Sequence, residues 1–214
     1  MTVVRQRTSL LSTADPGSFD TAVGALRAGE VIALPTDTVY GLGAHGLLPQ
    51  AIAQLFVLKG REWMKPIPLL IGQMDDLCVV ASEVPEIAWR LAQRFWPGPV
   101  TLVVPCASTL PVMLTSGGSS VAVRMPAHDA ALRLISELGA PVAATSANLS
   151  GGTDAVTAQE VETIFGGRVR IILDGGRCPG GVPSTIVDLT AEPVVIRRRG
   201  TLAAAVEDFL TQAQ

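Results

Sequence analysis

The chain has 214 residues, 48% of them apolar, and a formal net charge of −3. That length suits one well-buried core and is short for two, and the acidic balance argues against a protein that holds nucleic acid through bulk positive charge. The longest apolar stretches are strand-sized and end at charges or prolines, which excludes a membrane-spanning helix. Arg5 and Arg7 precede only two leucines, so no secretory signal is expected and the cytoplasm is the expected compartment. Cys78, Cys106 and Cys178 are odd in number and far apart, without the spacing of a zinc or redox motif, and read as small, partly buried residues. With His45 and His128 the only histidines, no dedicated metal site is expected, and both are expected in ordinary exposed roles.

Apolar periodicity predicts a helix over 18–28 stopped by Gly29, then a strand over 31–34 ending at Pro35. A helix over 49–58 opens on Pro49, which suits a first turn, and a short strand follows over 69–71. Residues 85–95 put Ile87, Leu91 and Phe95 on one helical face, and 100–104 form the next strand. The second half continues with a strand over 121–123, a helix over 130–138, a strand over 142–144 and a helix over 158–165. Strands over 171–173, 186–189 and 194–196 precede a last helix over 202–210. The alternation predicts an α/β domain on a mixed sheet, with antiparallel pairing in the C-terminal strand run. No linker is long enough to divide the chain, and it is expected to be a single domain, 1–214.

Three segments set small polar residues directly after apolar strands: 33–43, 143–151 and 183–188. Strand ends of α/β sheets are where ligands commonly bind. The hydroxyls of Thr36, Thr38, Ser146 and Ser184 suit an alcohol, a carboxylate or a phosphate equally, and the same residue types also serve as caps and turns. A fourth segment gathers Lys59, Arg61 and Lys65, including both lysines of the chain, and Arg197, Arg198 and Arg199 are consecutive. A compact ammonium beside planar guanidinium forks suits a polyphosphate. No glycine-rich nucleotide signature accompanies them.

Taken together and in order, these segments resemble the YrdC-type threonylcarbamoyl-AMP synthase family. The resemblance rests on Pro-Thr-Asp-Thr-Val-Tyr-Gly-Leu-Gly (35–43), the Lys59-Gly-Arg61 pair, Trp-Pro-Gly-Pro-Val-Thr-Leu (96–102) and Val-Ala-Val-Arg-Met-Pro (121–126). Ser-Ala-Asn-Leu-Ser-Gly (146–151) and Pro-Ser-Thr-Ile-Val-Asp (183–188) complete it, so it spans about residues 18–210. It implies a YrdC-like fold, a twisted mixed α/β sheet with helices enclosing a basic cavity. It also implies a reaction in which L-threonine, bicarbonate and ATP give threonylcarbamoyl-AMP and pyrophosphate. A separate transferase would then use the product to modify an adenosine beside the tRNA anticodon.

By that resemblance, Arg124 pairs with the threonine carboxylate, and Thr36 and Ser184 contact the amino acid's polar atoms. Lys59, Arg61 and Arg198 neutralise the ATP phosphates and the charge that develops as pyrophosphate leaves, with Lys59 and Arg61 carrying catalysis. Ser146 and Asn148 contact the nucleotide, as do Ser120 and Asp154 by their position in the pattern. Mg²⁺ is expected to ride on the phosphates. Two departures stand out: Glu62 replaces a common Pro after the Lys-x-Arg arginine, and Leu70 replaces a His that many members use near threonine. Either that His only lines the pocket in the family, or threonine is held differently here. Members of the family also occur with a further C-terminal domain. The chain ends at Gln214 directly after its last helix, so the compact single-domain form is expected. Two other classes compete: an RNA-binding module without synthetic activity, which could bind tRNA through the arginine run, and a carbamoyl-transfer domain, whose usual zinc-type cysteines are missing.

Overall fold

The computed structural model describes residues 7–60, 65–149, 151–180 and 182–212. The chain begins with β1 (Ser9–Ser12), α1 (Ser18–Arg27), β2 (Ile32–Leu34), β3 (Gly41–His45), α2 (Pro49–Lys59) and β4 (Leu69–Leu70). A 3-10 turn (Met74–Asp76) runs into α3 (Leu77–Val80), followed by α4 (Glu86–Phe95), β5 (Val100–Pro105), β6 (Ser120–Arg124), α5 (Asp129–Leu138) and β7 (Val142–Ser146). Helix α6 (Ala158–Phe165), β8 (Ile171–Asp174), β9 (Thr185–Asp188), β10 (Val195–Arg198) and α7 (Ala203–Gln212) complete it. Helix ends follow local chemistry. Pro49 opens α2, and Gly60 closes it at φ 61°, a left-handed conformation that glycine adopts without a Cβ penalty. Thr157 caps α6 by accepting from the Glu160 amide at 3.2 Å.

The strands form one ten-stranded mixed sheet in the order β1-β8-β2-β3-β7-β4-β6-β5-β9-β10. The expected antiparallel pairing near the C-terminus is present between β9 and β10. Strand alternation divides the side chains between two cores. Val31, Ala33, Leu42, Leu102, Val123, Ala143 and Ile172 face a layer built on α2, α4 and α6. Ile32, Leu34, Val142, Ile171 and Leu173 face α1 and α5 instead. Helices α1 and α5 are in the core that includes β2, β7 and β8, while Thr101, Val103, Ala122, Arg124 and Ile186 alternate with core residues on β5, β6 and β9, joined by Ser184 just before β9 and by Arg198 after a register shift in β10. Those positions line a cavity.

Two strands were not expected. Strand β1 is short and lies at the sheet edge beside β8, with two exposed and two half-buried residues, so it carries no strong apolar pattern. Strand β3 reads as loop because Gly41 and Gly43 dilute it, yet it pairs with both β2 and β7. A Cβ on Gly43 would stand 2.7 Å from Leu34 Cδ2 and 2.9 Å from Val142 Cγ1. Gly43→Ala is therefore expected to cost about 1–3 kcal/mol of stability through overpacking. The midpoint of denaturant unfolding checks this, and an unchanged midpoint would contradict it.

The histidines differ from expectation. His45 and His128 are both half-buried, and burial pushes the pKa of each below its ordinary value, with Arg27 adding to the effect at His45. Cys178 is buried, Cys106 half-buried and Cys78 exposed. No helix among the described residues is long and apolar enough to cross a membrane.

Candidate functional site

A cavity of about 560 Å³ opens where the loops after β2, β7 and α2 meet the polar face of β5, β6, β9 and β10. Its described lining carries Lys59, Lys65, Arg124 and Arg198 against one carboxylate, Asp154. The volume is that of a small-molecule site, and the charge selects an anionic ligand.

At one side, Lys59 ends α2 and is 6% exposed. Its Nζ donates to the Ser146 carbonyl at 2.5 Å and to Asn148 Oδ1, with Ser146 Oγ at 3.3 Å. Asn148 is fixed in turn, its Nδ2 donating to the Gly152 carbonyl at 2.5 Å and its Oδ1 accepting from Ser146 Oγ at 2.9 Å. These oxygens orient the ammonium at the cavity wall. Arg61 and Glu62, expected beside Lys59, lie outside the described residues.

Arg124, at the end of β6, is 7% exposed. Its Nε donates to the Gly98 carbonyl at 3.1 Å, its Nη1 to Thr38 Oγ1 at 3.3 Å, and its Nη2 to Asp37 Oδ1. A guanidinium has five N–H groups, so donor capacity remains on both Nη atoms for a carboxylate in the cavity. Thr36 and Thr38 belong to the loop that follows β2. Thr36 Oγ1 accepts from the amides of Thr38 and Val39 and donates to the Val39 carbonyl at 2.7 Å. The two threonine hydroxyls also meet at 3.0 Å, and either can be the donor. Both line the cavity, but the hydroxyl hydrogen of Thr36 is spent on shaping its own loop.

Arg198 comes from β10, where a register shift after Ile196 sets it opposite Ile186 on the cavity side, whereas Ile196, opposite Val187, packs against the core. Its Nε donates to the Ser184 carbonyl and its Nη2 to Ser184 Oγ, both at 2.9 Å, and Ser184 Oγ also contacts Thr101 Oγ1 at 2.8 Å. Burial, and then the charge of Arg124, push the Arg198 pKa below its ordinary value, while Asp154 opposes them. The arginine run is therefore not one cluster. Arg197 pairs with Asp188 at 3.0 Å and Arg199 pairs with Glu207, so neither offers an unpaired cation to a nucleic acid.

The cavity also holds Tyr40, fully buried, whose hydroxyl donates to the Gly176 carbonyl at 2.7 Å. Burial and the charge of Asp174 push its pKa up, which keeps it a neutral donor. Of the residues expected at the site, Thr36, Lys59, Arg124, Ser146, Asn148, Asp154, Ser184 and Arg198 are brought together here, and Leu70 joins them. Ser120 is not among the lining residues: it opens β6 opposite Pro105, while Arg124 closes the same strand. Five strand residues span roughly 13 Å between its ends. Thr101 and Asp37 were missed. The signal for Thr101 was a lone hydroxyl in an apolar strand, on the same alternation as Val103. No group of three or more His, Cys, Asp or Glu side chains among the described residues is placed to hold a metal ion.

Fold and site together define an α/β protein with a cavity at strand ends whose described lining carries four cationic side chains and one carboxylate. Residues 24–200 match the family model Sua5_yciO_yrdC, described as telomere recombination, and the chain belongs to that family. It is 46% identical over 181 residues to a threonylcarbamoyl-AMP synthase of Pyrococcus abyssi, covering 85% of this chain and 53% of that protein. It is 41% identical over 202 residues to the Bacillus subtilis threonylcarbamoyl-AMP synthase, covering 94% of this chain and 58% of the relative. The structure of P. abyssi Sua5 complexed with L-threonine superposes with a TM-score of 0.91 at 41% identity, covering 96% of this chain and 61% of the other. The chain thus spans between about half and three-fifths of the length of these relatives.

Proposed function

We propose that the protein is an L-threonylcarbamoyladenylate synthase, a nucleotidyltransferase that makes threonylcarbamoyl-AMP and pyrophosphate from L-threonine, bicarbonate and ATP. The observation that carries this reading is the placement of two differently built cation sites in one cavity. Lys59 is a point charge oriented by the Ser146 carbonyl and Asn148, and Arg124 is a fork with donor capacity left on both Nη atoms. A polyphosphate suits the first and an amino acid's carboxylate the second. The relatives named threonylcarbamoyl-AMP synthase support the same reading.

Pyrophosphate as the leaving group means attack at the α-phosphorus of ATP. The attacking oxygen belongs to the carbamate that the threonine amine forms with bicarbonate as a C–O bond breaks and water leaves. In this reading Arg124 takes the carboxylate, and Ser184, held by Arg198 and Thr101, meets the amino acid's polar atoms. Thr36 contributes by shaping the loop that carries Thr38. Lys59, Arg61 and Arg198 offset the phosphate charge as pyrophosphate departs, while Ser146, Asn148 and Asp154 face the nucleotide. Catalysis then consists of positioning and charge stabilisation, with no protein nucleophile. Mg²⁺ bound with ATP would offset phosphate charge, and Asp154 is the one carboxylate of the described lining that could enter its shell. The product would pass to a tRNA threonylcarbamoyl transferase in the cytoplasm.

Pyrophosphate release from ATP tests this reading. Release is expected to require both threonine and bicarbonate, and to fall sharply when serine replaces threonine. Release independent of the amino acid would contradict it.

A further inference from the structure

Asp37 does not line the cavity, yet it is tied to the cation that does. Its side chain is 11% exposed and pairs through Oδ1 with Arg124, whose side chain is 9% exposed. Its Oδ2 is closed to solvent and has no hydrogen-bond partner. The groups that face it electrostatically are Arg124, His128 and Cys178. The Nδ1 of His128 is likewise closed to solvent and without a hydrogen-bond partner. Burial lowers the pKa of His128, against the opposing charges of Asp37 and Asp129, and pushes the Cys178 thiol up to about 11. Both are neutral at pH 7, so of these three groups only Arg124 is a cation that can satisfy Asp37.

A buried carboxylate with one oxygen unpartnered is costly, and the contact it keeps is the one to Arg124. Three anchors from two loops converge on that guanidinium: Asp37 and Thr38 after β2, and the Gly98 carbonyl before β5. They act on one donor each and leave both Nη atoms with a hydrogen to spare. An arginine side chain carries much rotamer entropy, which these anchors remove before any ligand arrives.

We infer that Asp37 is a positioning residue that holds the Arg124 fork in the geometry required by the substrate carboxylate. The inference rests on the proposed function, in which that carboxylate belongs to threonine. Asp37 also partly neutralises Arg124, and that would weaken carboxylate binding. Positioning and neutralisation thus predict opposite signs for loss of the side chain.

The test is steady-state kinetics of threonine-dependent pyrophosphate release by Asp37→Ala and Asp37→Asn beside the unaltered protein. Asparagine keeps an acceptor oxygen at the same place and removes the charge, so it also serves if the alanine variant folds poorly. Asp37→Ala is expected to raise KM for threonine roughly tenfold or more, with KM for ATP within about twofold. Asp37→Asn is expected to recover most of that loss. A KM for threonine that is unchanged or lower in Asp37→Ala would overturn the inference, as would equal losses for threonine and ATP. No turnover by the unaltered protein would instead overturn the proposed function, so the two failures are distinct.

Discussion

Arg124→Ala is expected to abolish threonine-dependent pyrophosphate release, a fall of about 10³-fold or more in kcat/KM for threonine. Truncating one partner of a buried, hydrogen-bonded charge pair costs roughly 2–5 kcal/mol, which spans about 30- to several-thousand-fold. The upper part of that range applies because Arg124 is 7% exposed. The alanine variant also strands Asp37, a buried carboxylate, and it should unfold more easily. Arg124→Lys separates the two effects. Lysine keeps a positive charge for Asp37 and should restore the denaturation midpoint toward that of the unaltered protein. It lacks the planar fork and should restore little activity. Normal turnover in either variant would remove Arg124 from the site.

Lys59→Met is expected to lower kcat about 10²- to 10³-fold while KM for threonine stays within roughly threefold. The ammonium is held by Ser146 and Asn148 before a ligand arrives, so it needs no reorganisation as charge develops on the departing pyrophosphate. Methionine matches the lysine stem as far as Cε and lacks only the ammonium, so it preserves apolar packing at the end of α2. Lys59→Arg should not rescue the rate, because a fork of five donors does not fit the corner made by one carbonyl and one amide oxygen. A loss confined to KM for ATP would point to ground-state binding and contradict a role in the step that releases pyrophosphate.

Much of this architecture is legible in the sequence, for reasons that can be given residue by residue. Helices with a strong apolar face announced themselves: α4 carries Leu91 and Phe95 where the period requires, and α6 runs over the expected residues. Strands buried on both sides, such as β2 and β8, read as short apolar runs. What escaped was structure whose cause is tertiary. Strand β3 exists because β2 and β7 flank it, and they crowd position 43, where a Cβ would meet Leu34 and Val142. Asp37 escaped because its importance lies in a partner 87 positions away on β6. The three arginines at 197–199 looked like one anion site, yet pairing with Asp188 and Glu207 leaves Arg198 alone of the three in the cavity lining. Thr36 carries the hydroxyl expected to meet substrate, but local amides reach that oxygen first.

The site residues themselves were legible chiefly as an ordered set. Taken singly, Ser146 or Ser184 could have been a cap. In the fold, strand alternation and the loops after β2 and β7 bring them to one wall of one cavity. Leu70 lies in that wall, where many members of the family carry a histidine. On the proposed function, selectivity for threonine would fall to Arg124, Thr38, Ser184 and apolar contact, while Lys59 and Arg198 would meet the nucleotide.

The most direct measurement is mass spectrometry of the products formed from ATP, L-threonine and ¹³C-bicarbonate. The account predicts threonylcarbamoyl-AMP carrying one heavy carbon, formed together with pyrophosphate and absent when threonine is omitted. AMP or ADP appearing without a labelled threonine adduct would contradict it.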